Sequence, residues 1–395
     1  MASELARRAG MSRAEMAMAG NAGLLADLPE HRLTFRFVAP ILFGNDGASR
    51  EPAFARYVMQ AIEVAKAADR TLGLRVTRDG VPDIVATAGA VVNAYEPYLG
   101  RSDDPAESVT RWLRRRREEG LHSRKAFAAF ASLPRVPRTS LVNAASRVGA
   151  YPAIALKAMR VAASEDASLR QLAAIAEQDQ VLAACLVAAA NSALNPTKAR
   201  IAAIDHAITY IGLVQTRRVL AAAAMRPLFA SQHLRELWTH SLTVAAWCES
   251  LAPGTGLLAA DQAFLCGLVH DVGRLAMLTA PGEAPETLQR LTEAGSDPCF
   301  AELLLFGSGH GSIGANILDA WRFPPDISAA VANHHDLRGA LSPMSAMIYL
   351  AESAHGERTP SMTRDDDACQ ILGIGKESVS TNSVELGALG VLVAA

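Results

Sequence analysis

The stretch Phe264-Leu-Cys-Gly-Leu-Val-His-Asp-Val-Gly-Arg274 sets a histidine–aspartate doublet, His270-Asp271, at the end of a dense apolar run. Such a run reads as a buried helix, and imidazole beside carboxylate is a metal-ligand pairing. Adjacent residues on an unbroken helix diverge by about 100°, so both can face one ion only near a helix end. Gly273 is expected to supply that end. Working outward, His240 follows Leu-Trp-Thr and opens an apolar helix through Val244 and Trp247. His310 lies in Phe306-Gly-Ser-Gly-His-Gly311, just before another apolar helix with Ile313 and Ile317. His334-His335 close a helix begun after Pro324-Pro325, and Glu352 lies in the next helix, Met344 to His355. Eight of the ten histidines fall after residue 200, so the chemistry is concentrated in one half. The pattern fits either a divalent-metal centre or a metal-free network of helix-borne histidines. In both cases a polar group at the edge of an apolar helix needs partners. His240, His270, Asp271, His310 and His334 are therefore expected to line one cleft.

The rest of the composition points to helix. Half of the 395 residues are apolar but only 5% are aromatic, and alanine and leucine favour helix over sheet. The net charge of −2 predicts no general attraction to nucleic acid or anionic membrane. Five scattered cysteines without a C-x-x-C argue against a disulfide framework or zinc ribbon, and for a reducing cytoplasm. The charged start Met-Ala-Ser-Glu-Leu-Ala-Arg-Arg lacks the apolar core of a secretory signal. No stretch reaches the roughly 18 apolar residues of a spanning helix.

Along the chain, Leu33–Val38 and Leu72–Thr77 read as short strands, with a helical repeat from Ala53 to Ala68 between them. A helix with Arg111, Arg114, Arg115, Arg116 and Arg117 follows the break at residues 100–105. It could dock phosphate or a partner, but such charge runs usually solvate a connector helix. From Leu133 the pattern is helix after helix. Ser168 and Gln171 form a capping box, and Asp179 caps the next helix, which should end at Asn195-Pro196. Ala203–Leu213 and Thr216–Met225 read as two further helices. The pair spanning Ser168–Ala193 has the outline of a DNA-reading helix-turn-helix, yet its second helix carries no Arg or Lys for bases or phosphates, so it reads as core. Asn191 and Ser192 read as local hydrogen-bonding groups.

From about Leu133 to Glu352 the chain resembles the HDOD domain, the HD-related output domain of bacterial signalling proteins. The resemblance is carried by Leu-Pro-Arg-Val-Pro at 133–137, Glu-Gln-Asp at 177–179, and Ala190-Asn-Ser-Ala193 with Ile211-Gly-Leu213. Leu237-Trp-Thr-His-Ser241, Gly267–Gly273, Glu302, Phe306-Gly307, His310, Gly314-Ala315, Trp321-Arg-Phe-Pro324 and His334-His335 continue it. It implies a mainly α protein with a two-lobed all-helical HDOD domain at 131–356, its lobes 131–228 and 229–356, the second HD-like. Residues 1–130 would precede it as a small region of mixed α/β structure, and 357–395 would follow as a helical extension.

The related HD superfamily of metal-dependent phosphohydrolases implies a ligand set of His240, His270, Asp271 and Glu352, with His310, His334 and His335 serving two-metal members. Here Glu352 stands for an aspartate, and its extra methylene would shift the ligand oxygen. Arg274 stands for a lysine; it keeps the charge but cannot donate a proton in catalysis. The Gly-Tyr-Pro signature of the cyclic di-GMP-cleaving members is absent after His335. These features imply a regulatory protein acting on a protein partner in a signalling pathway, with a divalent metal (Fe, Mn, Zn or Mg) bound or not. The alternative is a metal-dependent phosphohydrolase with His270, Asp271 and Arg274 as candidate catalytic groups. A scaffold whose histidines are merely structural is the third reading.

Overall fold

In the computed structural model the described residues are 1–25, 64, 81–95, 105–119, 122–149, 153–164, 166–192, 200–294, 296–335, 342–355 and 362–381. In chain order the helices begin with α1 (Ala2–Arg8), α2 (Arg13–Leu25), α3 (Val81–Tyr95), α4 (Pro105–Glu118) and α5 (Arg124–Ala131). They continue with α6 (Arg138–Gly149), α7 (Ala153–Ala163), α8 (Leu169–Ala176), α9 (Gln180–Ala190) and α10 (Ile204–Met225). Next come α11 (Arg235–Thr255), α12 (Ala260–Val269), α13 (Val272–Leu278), α14 (Ala284–Glu293) and α15 (Pro298–Phe306). The last are α16 (His310–Ala320), α17 (Pro325–Asn333), α18 (Pro343–His355), α19 (Met362–Leu372) and α20 (Lys376–Thr381). No strand occurs among the described residues. The expected strands at 33–38 and 72–77, and all of the expected helix at 53–68 but Val64, lie outside them. None of the described helices is long and apolar enough to cross a membrane.

The chain separates into two compact units, Met1–Ser140 with Ala280–Gly309, and Leu141–Thr279 with His310–Ala395. In the first, Leu5, Ile84, Leu113 and Phe130 are fully buried, each contributing roughly 1.5–3 kcal/mol. The arginine-rich helix α4 exposes Arg111, Arg114 and Arg115, while Arg116 lies over the Trp112 ring at 5.0 Å. Arg117 lies 4.8 Å over Phe127.

The second unit begins as the periodicity predicts. Ser168 and Gln171 close a reciprocal capping box on α8, and Asp179 Oδ1 accepts from the Val181 and Leu182 amides. Helix α9 stops earlier than Asn195-Pro196, because Asn191 is its cap. The Asn191 amide donates to Val187 O and Ile201 O at 2.8 and 2.7 Å, and its Oδ1 accepts from the Ile201 amide at 2.9 Å. Its partner in expectation, Ser192, has a buried hydroxyl with no hydrogen bond among the described residues. The two helices expected over 203–225 are both present within Ile204–Met225, separated by a kink where Gly212 adopts the non-helical φ 77, ψ 175. That conformation is essentially open only to glycine.

Two close crossings then position the histidines. Helix α12 is buried from Ala263 to Val269, as a helix apolar on all sides must be. It presses against α11 where a Cβ on Gly267 would lie 2.7 Å from Ala245 Cα and 2.9 Å from Cys248 Sγ. The second crossing joins α13 and α16 at Gly273, where a Cβ would sit 2.7 Å from the Gly314 amide nitrogen. The expectation that Gly273 ends the doublet's helix is therefore corrected. Helix α12 ends at Val269, His270 is its C-cap, and Asp271 is the N-cap of α13. The break falls on the doublet itself, and Gly273 lies inside the next helix, where the lack of a side chain lets α16 approach.

Candidate metal centre

All seven sequence-predicted ligand residues sit in the second unit, on five short pieces of helix or helix end. His240 lies inside α11, which begins at Arg235, a turn before the expected start. His270 and Asp271 occupy the α12–α13 break, His310 is the first residue of α16, His334 is the C-cap of α17, and Glu352 is in α18. Their polar atoms converge. His240 Nε2 lies 3.2 Å from His270 Nε2 and 3.4 Å from Asp271 Oδ2. His310 Nε2 lies 3.2 Å from Asp271 Oδ1 and 3.1 Å from His334 Nε2. Glu352 Oε1 lies 3.6 Å from both His270 Nε2 and His335 Nε2, so the longer acidic side chain still reaches the group. The ligand atoms of His270, Asp271, His334 and Glu352 all lie within 4.8 Å of one another, a group that could hold a metal ion. His240 adjoins this group.

The helix ends orient the rings. His270 Nδ1 donates to Gly267 O at 2.7 Å, and His334 Nδ1 donates to Val331 O at 2.6 Å. Each carbonyl belongs to the last turn of its helix, where it lacks an amide partner. A carbonyl can only accept, so Nδ1 carries the proton and Nε2 turns its lone pair toward the centre. The repeated i−3 spacing, Gly267 to His270 and Val331 to His334, is a sequence signal that the reading above missed.

Electrostatics match the donor chemistry. Burial, opposed by Glu352, pushes the His334 imidazole down to about 3, so it is neutral at pH 7. Burial alone would raise the Asp271 carboxyl, but Arg274, His270 and His310 outweigh it and hold it well below the usual carboxylate range. Glu352 is likewise held low against burial by His335 and His270. Arg274 Nη1 donates to Asp271 Oδ2 at 2.7 Å, while the buried Asp271 Oδ1 has no hydrogen bond among the described residues. A neutral His334 imidazole, ionised carboxylates and a buried Asp271 oxygen with no hydrogen bond among the described residues fit a divalent cation. Asp271 and His334 side chains are closed to solvent, whereas His335 at 15% and Arg274 at 18% exposure form the edge of the group.

A pH dependence follows. His334 binds its proton less readily in the fold than in the unfolded chain. Its contribution is therefore complete above about pH 6.5 and is lost as pH falls toward about 3. The slope is roughly 1.4 kcal/mol per pH unit for this group. Asp271 and Glu352, also held low, steepen the loss below about pH 4. Urea midpoints of chelator-treated protein should fall steadily from pH 6.5 to 4.5; a flat profile there would contradict the buried neutral imidazole.

Residues 148–337 match the family model of the HDOD domain. An uncharacterized protein of Treponema pallidum (strain Nichols) is 27% identical over 206 residues, covering 50% of this chain and 39% of that protein. The chain thus spans about two fifths of that relative's length. A solved HDOD domain protein of unknown function from Geobacter sulfurreducens superposes with TM-score 0.50 at 24% identity, covering 65% of this chain and 93% of that one. A candidate signal transduction protein from Marinobacter aquaeolei VT8 superposes with TM-score 0.53 at 19% identity, covering 65% of this chain and 64% of that one. At these identities the two structures support the shared fold.

Proposed function

We propose, from the premise that residues 148–337 form an HDOD domain, that the protein is a regulatory component of bacterial signal transduction that acts through a protein partner. Its histidine–carboxylate group holds a divalent metal as an organising centre, with little or no phosphoester hydrolysis. The observation that carries this reading is the closure of the donor group. Paired Nε2 atoms face each other at 3.1 and 3.2 Å, Asp271 is fully buried, and one of its oxygens is already bound by Arg274. A hydrolytic metal site keeps a coordination position open for water and room for substrate. His270, Asp271, His334 and Glu352 would hold the ion, with His240 and His310 beside them. A bound divalent cation would supply Lewis acidity and acidify water. The chain's own part is to fix the ring tautomers through Gly267 O and Val331 O and to orient Asp271 through Arg274. The label of the Marinobacter protein as a candidate signalling component agrees with a regulatory role.

A metal-dependent phosphohydrolase is the second reading. It is favoured by Arg274, whose guanidinium stands at the exposed edge and suits bidentate contact with a phosphate. The discriminating experiment measures Fe, Mn, Zn and Mg by elemental analysis of the purified full chain, then assays cyclic di-GMP and bis(p-nitrophenyl) phosphate with each metal. The regulatory reading expects near-stoichiometric metal and background turnover. Robust metal-dependent hydrolysis would establish the phosphohydrolase instead, and a metal-free protein would remove the metal from both.

A further inference from the structure

Residues 280–309 lie within the HDOD match, yet they cluster with the N-terminal unit. Helix α1 grips α14 through a buried carboxylate. Glu4, 5% exposed, takes Arg7 Nη2 and Arg8 Nε on Oε1 at 2.7 and 2.8 Å. Its Oε2 takes Arg7 Nε at 2.9 Å and Arg290 Nε at 3.3 Å. Arg8 reaches further, to Thr287 Oγ1 at 3.4 Å, to Glu283 at 3.5 Å and to the Ser132 carbonyl. Thr287, fully buried, also accepts from Arg290 Nη2 at 2.7 Å. Burial would raise the Glu4 carboxyl, but Arg7 and Arg290 hold it down to about 2, so it is ionised at any working pH. Removing one partner from a buried charge cluster leaves the others uncompensated. The next helix is held by the same unit, because the Val136 amide donates to Leu305 O at 2.9 Å. Helix α15 then ends at Gly307, whose φ of 69 closes the last turn, and only Ser308 and Gly309 separate it from His310.

We propose that α1 is a latch: its Glu4–Arg290 grip clamps the α14–α15 hairpin, and through the short link 307–309 it sets how firmly His310 is held at the metal centre. The N-terminal region then acts as the input to the HDOD domain, since a signal that frees α1 loosens one specific histidine and leaves the other donors in place. The last step rests on His310 belonging to the metal group. The latch itself rests only on the ion network and the chain connection.

The test is hydrogen–deuterium exchange on the full chain, wild type against Glu4→Gln and Arg290→Lys, with peptides from 235–255 as the internal reference. Freeing the latch should raise exchange in 284–306 and carry on into 307–315 by about tenfold, with the reference unchanged. Faster exchange confined to residues 1–25, with 307–315 as slow as in the wild type, would overturn the proposal. If Glu4→Gln also speeds the reference, Arg290→Lys decides, because it keeps the charge and loses only the planar fork. Release of bound metal to a chelator is followed in parallel. A wild type without metal would defeat the metal reading alone, while the exchange comparison still decides the latch.

Discussion

Asp271→Ala is expected to lower bound metal more than about tenfold and to destabilise the chelator-treated protein by about 3 kcal/mol. Asp271 is the hub of the centre, with His240 and His310 at 3.4 and 3.2 Å and Arg274 at 2.7 Å. Truncation removes a candidate ligand oxygen and also leaves Arg274 without its counter-charge. Asp271→Asn separates the two effects. Its side-chain oxygen can still accept from Arg274, so stability should stay within about 1 kcal/mol of wild type while metal is lost. Elemental analysis and urea denaturation read the two quantities independently. Full metal content in Asp271→Asn would remove the carboxylate from the ligand set.

Gly273→Ala should be the most damaging single-methyl change in the second unit. A Cβ there falls within the van der Waals shell of His310 O, 2.8 Å from His310 C and 2.7 Å from the Gly314 nitrogen. These are backbone atoms, so no rotamer change can relieve the clash and α13 must move away from α16. Overpacking of this kind costs about 3 kcal/mol or more, a drop in Tm of roughly 6–12 °C for a unit of this size. Metal retention should fall as well, because the displaced residue is His310. Gly309→Ala is the control. Its added Cβ meets only Glu302 Oε2, at 3.9 Å, and should shift Tm by no more than about 3 °C. Wild-type Tm in Gly273→Ala would show that the crossing is looser than the geometry indicates.

Where the sequence could be read depended on how local the deciding physics was. The capping box at Ser168 and Gln171, the Asp179 cap and the apolar run 263–269 rest on residues within one turn of each other, and each is present. The same held for the convergence of the polar side chains, because histidines at the edges of apolar helices need partners whatever the topology. What failed was the assignment of reasons. Gly273 read as a terminator because glycine ends helices, whereas here it answers to the backbone of His310 and Gly314, in a distant helix. Asn191 ended α9 before the Asn195-Pro196 signal because its amide found Ile201, a partner ten residues on.

The sequence by itself determined that this protein is helical and that it carries imidazole and carboxylate donors in the order of an HDOD domain. Periodicity, capping and residue chemistry act over a few residues and are written into the chain. Only the tertiary structure decided that separate helices and helix ends bring neighbouring donor atoms to 3.1–3.6 Å, and that Gly267 O and Val331 O fix which ring nitrogens face inward. It alone placed residues 280–309 with the N-terminal unit. The reason is that helix crossings are set by where two surfaces can approach, a property of pairs of distant segments that no local pattern records.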